Sequence, residues 1–194
     1  MDRMDEPADA TEVDCEASLR SLYGTPSPLA SRKCIDHIDK HCAAFIALSP
    51  FLCLGTSRKD GAGDVSPRGD APGFVQVLDR KTIGIPDRPG NNRMDSFSNI
   101  LENPAVGLIF MIPGIEETLR LNGRARVSPH PALLARMAVQ NKLPKSALVI
   151  EVQEAMLHCA KALKRSKLWQ DDYKQRRGAL PSLARMISDQ VGGG

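Results

Sequence analysis

The chain has 194 residues and a mass of 21.1 kDa, enough for one sizeable domain or at most two small ones. Hydrophobic residues at 42% and charged residues at 25% exclude a wholly disordered chain, a collagen and a disulfide miniprotein. One Trp, two Tyr and five Phe are too few rings for a single-strand nucleic-acid platform, which stacks bases on aromatics. The net charge of +3 hides an asymmetry: the first 16 residues carry seven acids and one base, so the remainder carries +9. A basic globule with an acidic tail calls for an anionic ligand.

No run approaches the roughly 18 apolar residues of a membrane span. The acidic opening reads as neither a secretory signal nor a basic transit peptide. Five cysteines without a CxxC pair read as reduced thiols, and the expected location is cytoplasmic.

Residues 1–16 are expected to be a flexible acidic tail, with a single domain over residues 17–194. Residues 31–48 predict an amphipathic helix, with Ile35, Ile38, Cys42 and Phe45 at three- to four-residue steps. Ser49-Pro50 stops it. Short strands follow at 51–56, 65–68, 74–78 and 82–85, and residues 85–93 form a Pro/Gly/Asn loop. A short helix with Met94, Phe97 and Ile100 on one face ends at Asn103-Pro104. The apolar run 105–112 predicts a strand buried on both faces. Residues 118–127 alternate: Leu119, Leu121, Gly123, Ala125 and Val127 face one way, and Thr118, Arg120, Asn122, Arg124 and Arg126 the other. Ser128-Pro129 caps a helix running to Gln140. Residues 147–156 are a long strand, and the chain from Cys159 on is helical and basic. Clustered strands with hairpin turns predict a mainly β protein with peripheral helices (α+β), its antiparallel sheet closed or half closed into a small barrel.

The strongest local signal is Asp87-Arg88-Pro89-Gly90-Asn91-Asn92-Arg93, followed at once by a helix. Asn91 or Asn92 can cap that helix, and Arg88 and Arg93 add charge, which together make a phosphate cradle. The same residues also fit an ordinary polar loop with a capped helix. Cys34, His37 and His41 share one face of the predicted helix, but no HExxH and no second ligand pair accompanies them, so no metal is expected. No triad motif is present. The basic stretch 161–177 reads as a solvated helix rather than a nucleic-acid contact.

Four ordered segments resemble the FMN-binding split-barrel family of pyridoxamine 5′-phosphate oxidase. They are the Arg68 strand, Ile83-Gly84-Ile85-Pro86 leading to Asn91-Asn92-Arg93, the helix closed by Asn103-Pro104 with its apolar strand, and Glu117 to Gly123. Residues 158–169 resemble the closing motif of one branch of these flavoproteins. The resemblance implies a six-stranded antiparallel split β-barrel and a homodimer with FMN at the subunit interface. Arg68 would reach the flavin phosphate region, and Pro86 and Asp87 would lie beside the ring and ribityl chain. Asn91, Asn92 and Arg93 would replace the family's Ser-Arg-Lys phosphate cluster, with Arg88 supplying the missing charge. Thr118 would lie near the flavin edge, and Arg165, Ser166 and Trp169 would come from the C-terminal segment across the interface. The implied function is an FMN-dependent oxidoreductase working by hydride or electron transfer on an unknown substrate. The family's Arg-x-His substrate motif is absent, and no general acid or base is indicated. The alternatives are a non-enzymatic flavin store or sensor, or the same fold binding a deazaflavin or haem. Neither nucleic acid nor a membrane is expected as a partner. The apolar run 105–112 and the strand 147–156 also offer more apolar surface than one small barrel needs, which favours the homodimer.

Overall fold

The computed structural model describes residues 12, 13 and 15–192. The chain forms two compact units, residues 1–34 and 35–194. Most of the expected acidic tail lies outside the described residues. Within the first unit, α1 (Glu16–Tyr23) is capped by Cys15 Sγ and closed by Gly24 at φ +68°. Helix α2 (Pro28–Arg32) is capped by Ser27, with Pro28 at its first turn.

The second unit carries α3 (Lys40–Leu48), β1 (Phe51–Ser57), β2 (Gly63–Gly69), β3 (Gln76–Val77), β4 (Thr82–Pro86), α4 (Asp95–Glu102), β5 (Ala105–Ile112), β6 (Ile115–Ser128), α5 (Pro131–Ala135), β7 (Ala147–His158), α6 (Lys161–Ser166) and α7 (Leu183–Val191). All seven strands form one antiparallel sheet in the order β2-β1-β5-β6-β7-β4-β3. The resemblance implied six strands. The seventh is β3, two residues paired to Gly84 and Ile83 at one open edge; β2 forms the other.

One apolar cluster takes residues from both halves of the sheet order: Leu52 and Leu54 on β1, Phe110 on β5, Leu121 on β6, Ile85 on β4 and Ile150 on β7. Ile46 of α3 and Phe97 and Ile100 of α4 complete it. The sheet therefore curls around this main core with α3 and α4 against it, the mainly β antiparallel fold the pattern predicted, and a smaller cluster of Leu134, Met137 and Ala147 packs beside α5. Among the described residues no helix is long and apolar enough to cross a membrane.

Several local expectations are corrected. The helix placed over 31–48 begins only at Lys40. The Asp39 side chain accepts hydrogen bonds from the His41 and Cys42 N–H groups, while Ile35 bridges Ala155 of β7 through both backbone bonds. Cys34 and His37 are thus not on a helical face with His41. The helix after Ser128-Pro129 stops at Ala135, and Gln140 and Asn141, both at positive φ, make a tight turn. Strand β5 is buried on one face only: Val106, Leu108 and Phe110 are inside, whereas Ile109 is 37% exposed. Strand β6 does alternate, interrupted by a bulge between Asn122 and Gly123. There the partner backbone comes so close that a Cβ on Gly123 would stand 2.1 Å from the Glu151 carbonyl oxygen, so glycine is required by close approach.

Candidate functional site

A cavity of about 770 Å³ opens between three walls. The first is Ser66, Pro67 and Arg68 of β2 with Asp95, Ser96 and Phe97 of α4. The second is the loop 87–94, and the third is Lys142 to Lys145. Strand register explains the meeting. Pro86 pairs with Ala147, and the Asp87 N–H donates to the Ser146 carbonyl at 2.9 Å, so the loop after β4 runs beside the segment that enters β7. The same loop then leads into α4, which is tied to β2.

That tie is a partly buried polar network. The Asp64 carboxylate accepts from Thr56 Oγ1 at 3.4 Å and Ser66 Oγ at 3.3 Å, and Ser96 Oγ lies 3.3 Å from it and 3.0 Å from Ser66 Oγ. Asn99 Nδ2 donates to Thr56 Oγ1 at 3.0 Å. Buried polar groups persist only when partnered in this way, and here the partners fix the first turn of α4 against the β2 edge.

The cavity's charge is cationic. Arg68, Arg88, Arg93, Lys142 and Lys145 face Asp87 and Asp95 in the lining, a net of +3. The cations differ in how they are engaged. Arg88 Nε donates to Asp70 at 2.6 Å and Nη1 to the Met137 carbonyl at 3.0 Å. The Ala71 backbone N–H and then Arg88 hold the Asp70 carboxyl below its ordinary range against the opposing effect of burial. Arg93 is 72% exposed and donates to Asp95 at 2.8 Å, a contact that raises its already high pKa. Arg68 is half-buried, and neither it nor the two lysines has an ion-pair partner among the described residues.

The sequence expectation that Asn91 or Asn92 caps α4 is corrected. Met94 occupies the cap position in the left-handed conformation with no side-chain hydrogen bond, and Asn91 Oδ1 instead accepts from the Arg93 N–H at 3.1 Å. Asn92 and Met94 both have φ near +60°, a conformation costly for side chains with a Cβ. The loop needs it to turn twice within three residues.

Of the residues singled out from sequence, the cavity gathers Arg68, Asp87, Arg88, Asn91, Asn92 and Arg93. Pro86 is buried at the end of β4 just before it. Thr118, Arg165, Ser166 and Trp169 lie elsewhere. Thr118 is buried opposite His158, and Trp169 Nε1 donates to the Ile115 carbonyl at 2.8 Å, at the far end of β7 from Ala147. Twelve residues of strand, at about 3.3 Å each, separate those ends by roughly 35 Å. Sequence reasoning missed Lys142 and Lys145; their only local signal is two lysines flanking Leu143-Pro144 just before a strand. Among the described residues no three His, Cys, Asp or Glu side chains are grouped to hold a metal ion.

A single-chain antiparallel sheet curled around its main core, with a cationic cavity at the end of β4, defines the class. Residues 38–159 match the profile of pyridoxamine 5′-phosphate oxidase, and the chain belongs to that family. No curated protein matches it. Among solved structures, it is similar to HupZ from Group A Streptococcus at 16% identity, covering 62% of this chain and 93% of that one, with a TM-score of 0.50. An FMN-binding protein from Syntrophomonas wolfei is 13% identical over 63% of this chain and 86% of that one, with a TM-score of 0.49.

Proposed function

We propose that this chain is an FMN-dependent oxidoreductase and that FMN occupies the cavity between β2, the loop 87–94 and Lys142 to Lys145. The observation that carries the reading is Arg68: a half-buried guanidinium without an ion-pair partner among the described residues, facing a net-positive cavity in a member of this family. The donor set fits a phosphate. Arg68 supplies a fork of N–H groups suited to phosphate oxygens, Arg93 adds a second fork held at the cavity rim by Asp95, and the amides of Asn91 and Asn92 add neutral donors. Arg88 serves the fold here, because Asp70 and Met137 take its N–H groups.

Bound flavin supplies hydride or electron transfer through its N5. The chain's own residues bind and orient. Arg68 and Arg93 anchor the phosphate. The Thr56–Asp64–Ser66–Ser96 network keeps the two sides of the anchor in register. Asp87 and Pro86 border the ribityl path.

A second copy completes the site in this reading. Arg165, Ser166 and Trp169 follow the end of β7 far from the cavity of their own chain and would meet the flavin of the partner, whereas Thr118 is buried within its own chain. The docking face is the outer side of β2, β1 and β5, where Val65, Pro67, Cys53, Ile109 and Met111 form apolar rows in register and Val65 is 71% exposed.

The test is a fluorescence titration of apo-protein with FMN and with riboflavin, with an absorbance spectrum of the freshly purified protein. FMN bound with a flavin spectrum and turned over by a reduced nicotinamide donor supports the reading. FMN bound without turnover leaves a flavin store, and a deazaflavin or haem spectrum replaces the cofactor.

A further inference from the structure

On β2, Asp64, Ser66 and Arg68 alternate with exposed neighbours and share the half-buried face of the strand. Successive members are two residues apart, roughly 6.6 Å along the strand. Across the ladder they pair with Thr56, Leu54 and Leu52 of β1, whose side chains are buried, so the row faces inward. Ser66 and Arg68 line the cavity together with Ser96 of α4, and Asp64 stands behind the two serines, outside the lining. One strand face thus carries a carboxylate, a hydroxyl and a guanidinium in order, with a second hydroxyl added by α4.

The carboxylate settles which way the hydroxyls point. An ionised carboxylate only accepts, whereas a hydroxyl has one hydrogen to give and two lone pairs. The hydroxyls of Thr56, Ser66 and Ser96 all lie within 3.4 Å of the same oxygen, Asp64 Oδ2. Thr56 Oγ1 already accepts from Asn99 Nδ2 at 3.0 Å, so its hydrogen goes to Asp64. Ser66 Oγ gives its hydrogen to Asp64 at 3.3 Å. Ser96 Oγ gives its own to Asp64 at 3.3 Å or to Ser66 Oγ at 3.0 Å. Either arrangement spends all three hydrogens inside the cluster, and Ser66 and Ser96 turn lone pairs to the cavity. Elsewhere the lining offers donors, from Arg68, Arg93, Asn91 and Asn92. A phosphate oxygen gains nothing from the serine pair, while a ligand hydroxyl can donate to it.

We propose that Asp64 is a positioning residue that fixes the hydrogen-bond direction of Ser66 and Ser96, so that the pair accepts from a hydroxyl of the bound ligand. The cavity then selects a phosphate ester that carries a hydroxyl a few bonds from its phosphate over a plain alkyl phosphate. The placing of that phosphate at Arg68 rests on the reading of this cavity as the FMN site, and the ribityl chain of FMN carries such hydroxyls. The preference for a hydroxylated ester does not require a flavin. A site built to pair with a ligand hydroxyl discriminates against the analogue that lacks it, because its own polar groups are left unpaired.

The test uses the full chain and two sets of probes. FMN, riboflavin and lumiflavin, which lacks the ribityl chain, are titrated by fluorescence. Glycerol 3-phosphate and propyl phosphate, equal in carbon number, are titrated by calorimetry. Wild type binds the glycerol ester about fivefold or more tighter than the propyl ester. Ser66→Ala/Ser96→Ala removes that preference, weakens FMN and riboflavin alike by about tenfold, and leaves lumiflavin within about threefold. Asp64→Ala does the same in the wild-type background but costs under about twofold more when both serines are already alanine, the coupling expected of a residue that acts through them. Asp64→Asn keeps an acceptor oxygen at the hub and restores the preference for the glycerol ester, which separates hydrogen-bond direction from charge. Three results overturn the proposal: the two esters binding wild type equally, the serine variant weakening FMN but not riboflavin, or Asp64→Ala costing as much without the serines as with them. The second would make the hydroxyls donors to the phosphate. Should no flavin bind, the cofactor reading falls and the ester pair still decides the acceptor role. Should Asp64→Ala fail to fold, the serine variant and the ester pair decide it.

Discussion

Arg68 and Arg88 line one cavity and should fail in opposite ways when truncated. Arg88 Nε sits 2.6 Å from Asp70 and Nη1 3.0 Å from the Met137 carbonyl, with both charged side chains about a quarter exposed. Arg88→Ala removes two hydrogen bonds and leaves Asp70 with the Ala71 N–H at 2.7 Å as its remaining partner. Bonds to charged groups are worth roughly 1.5–3 kcal/mol each, and partial exposure screens them, so the net loss should be about 2 kcal/mol. For a domain of this size that lowers Tm by on the order of 4–8 °C. Arg68 has no such partner among the described residues, and Arg68→Ala should leave Tm within about 2 °C. Its loss appears in binding: one charge-assisted phosphate contact fewer weakens FMN roughly 10- to 100-fold, while riboflavin, which has no phosphate, hardly changes. Differential scanning fluorimetry and paired FMN and riboflavin titrations read both outcomes. The reasoning is refuted if Arg68→Ala melts as low as Arg88→Ala, or if riboflavin weakens as much as FMN.

Three more outcomes follow from the packing. Gly123→Ala should destabilise by about 3 kcal/mol or more by chemical denaturation, because the new Cβ would overlap the Glu151 carbonyl at the bulge; a loss under about 1 kcal/mol would mean that the strands part readily there. Burial and the Asp39 carboxylate push the Cys42 thiol up to about 11. Its folded pKa is raised, so the neutral thiol's contribution to stability is complete below the unfolded value of 9.0 and is lost as pH rises through about 11. Cys42 should resist iodoacetamide at pH 8 until the protein unfolds, and rapid native alkylation mapped to Cys42 would contradict this. Ile109→Arg on the outer face of β5 should convert a homodimer into a monomer of about 21 kDa by light scattering, because it buries an unpaired charge in the proposed interface; a wild type that is already monomeric refutes the interface.

Legibility in the sequence followed how local each signal was. Strand β6 was readable because one face is core and the other is not, so its period of two shows in the residue types. Strand β5 misled. An unbroken apolar run looks the same whether both faces are buried within a chain or one face is left for another molecule, and only the neighbouring strands decide. The helix at 31–48 was overextended because Ile35 and Ile38 fit a helical period while their backbones are taken by Ala155 and Arg80, a tertiary competition that no local pattern carries. The loop 87–93 was picked out correctly as a polar, charged turn before a helix, but its cap was not. The left-handed Met94 is set by how α4 must meet β2, through Ser96, Ser66 and Asp64, and those partners are some 30 residues apart in sequence.

The same distinction separates the two groups of site residues. Arg68 and the 87–93 loop converge because register places them: β4 lies beside β7, α4 is bonded to β2, and the cavity opens between β2, α4 and the segment that enters β7. Arg165, Ser166 and Trp169 lie beyond the family match, which ends at residue 159, and in their own chain they follow the far end of β7, where Trp169 is tied to Ile115. A site that uses both groups must therefore draw them from two copies. The proposed homodimer accounts for both features at once, since a second copy seated on the apolar outer face of β1, β2 and β5 would cover that face and bring its own C-terminal segment toward the cavity.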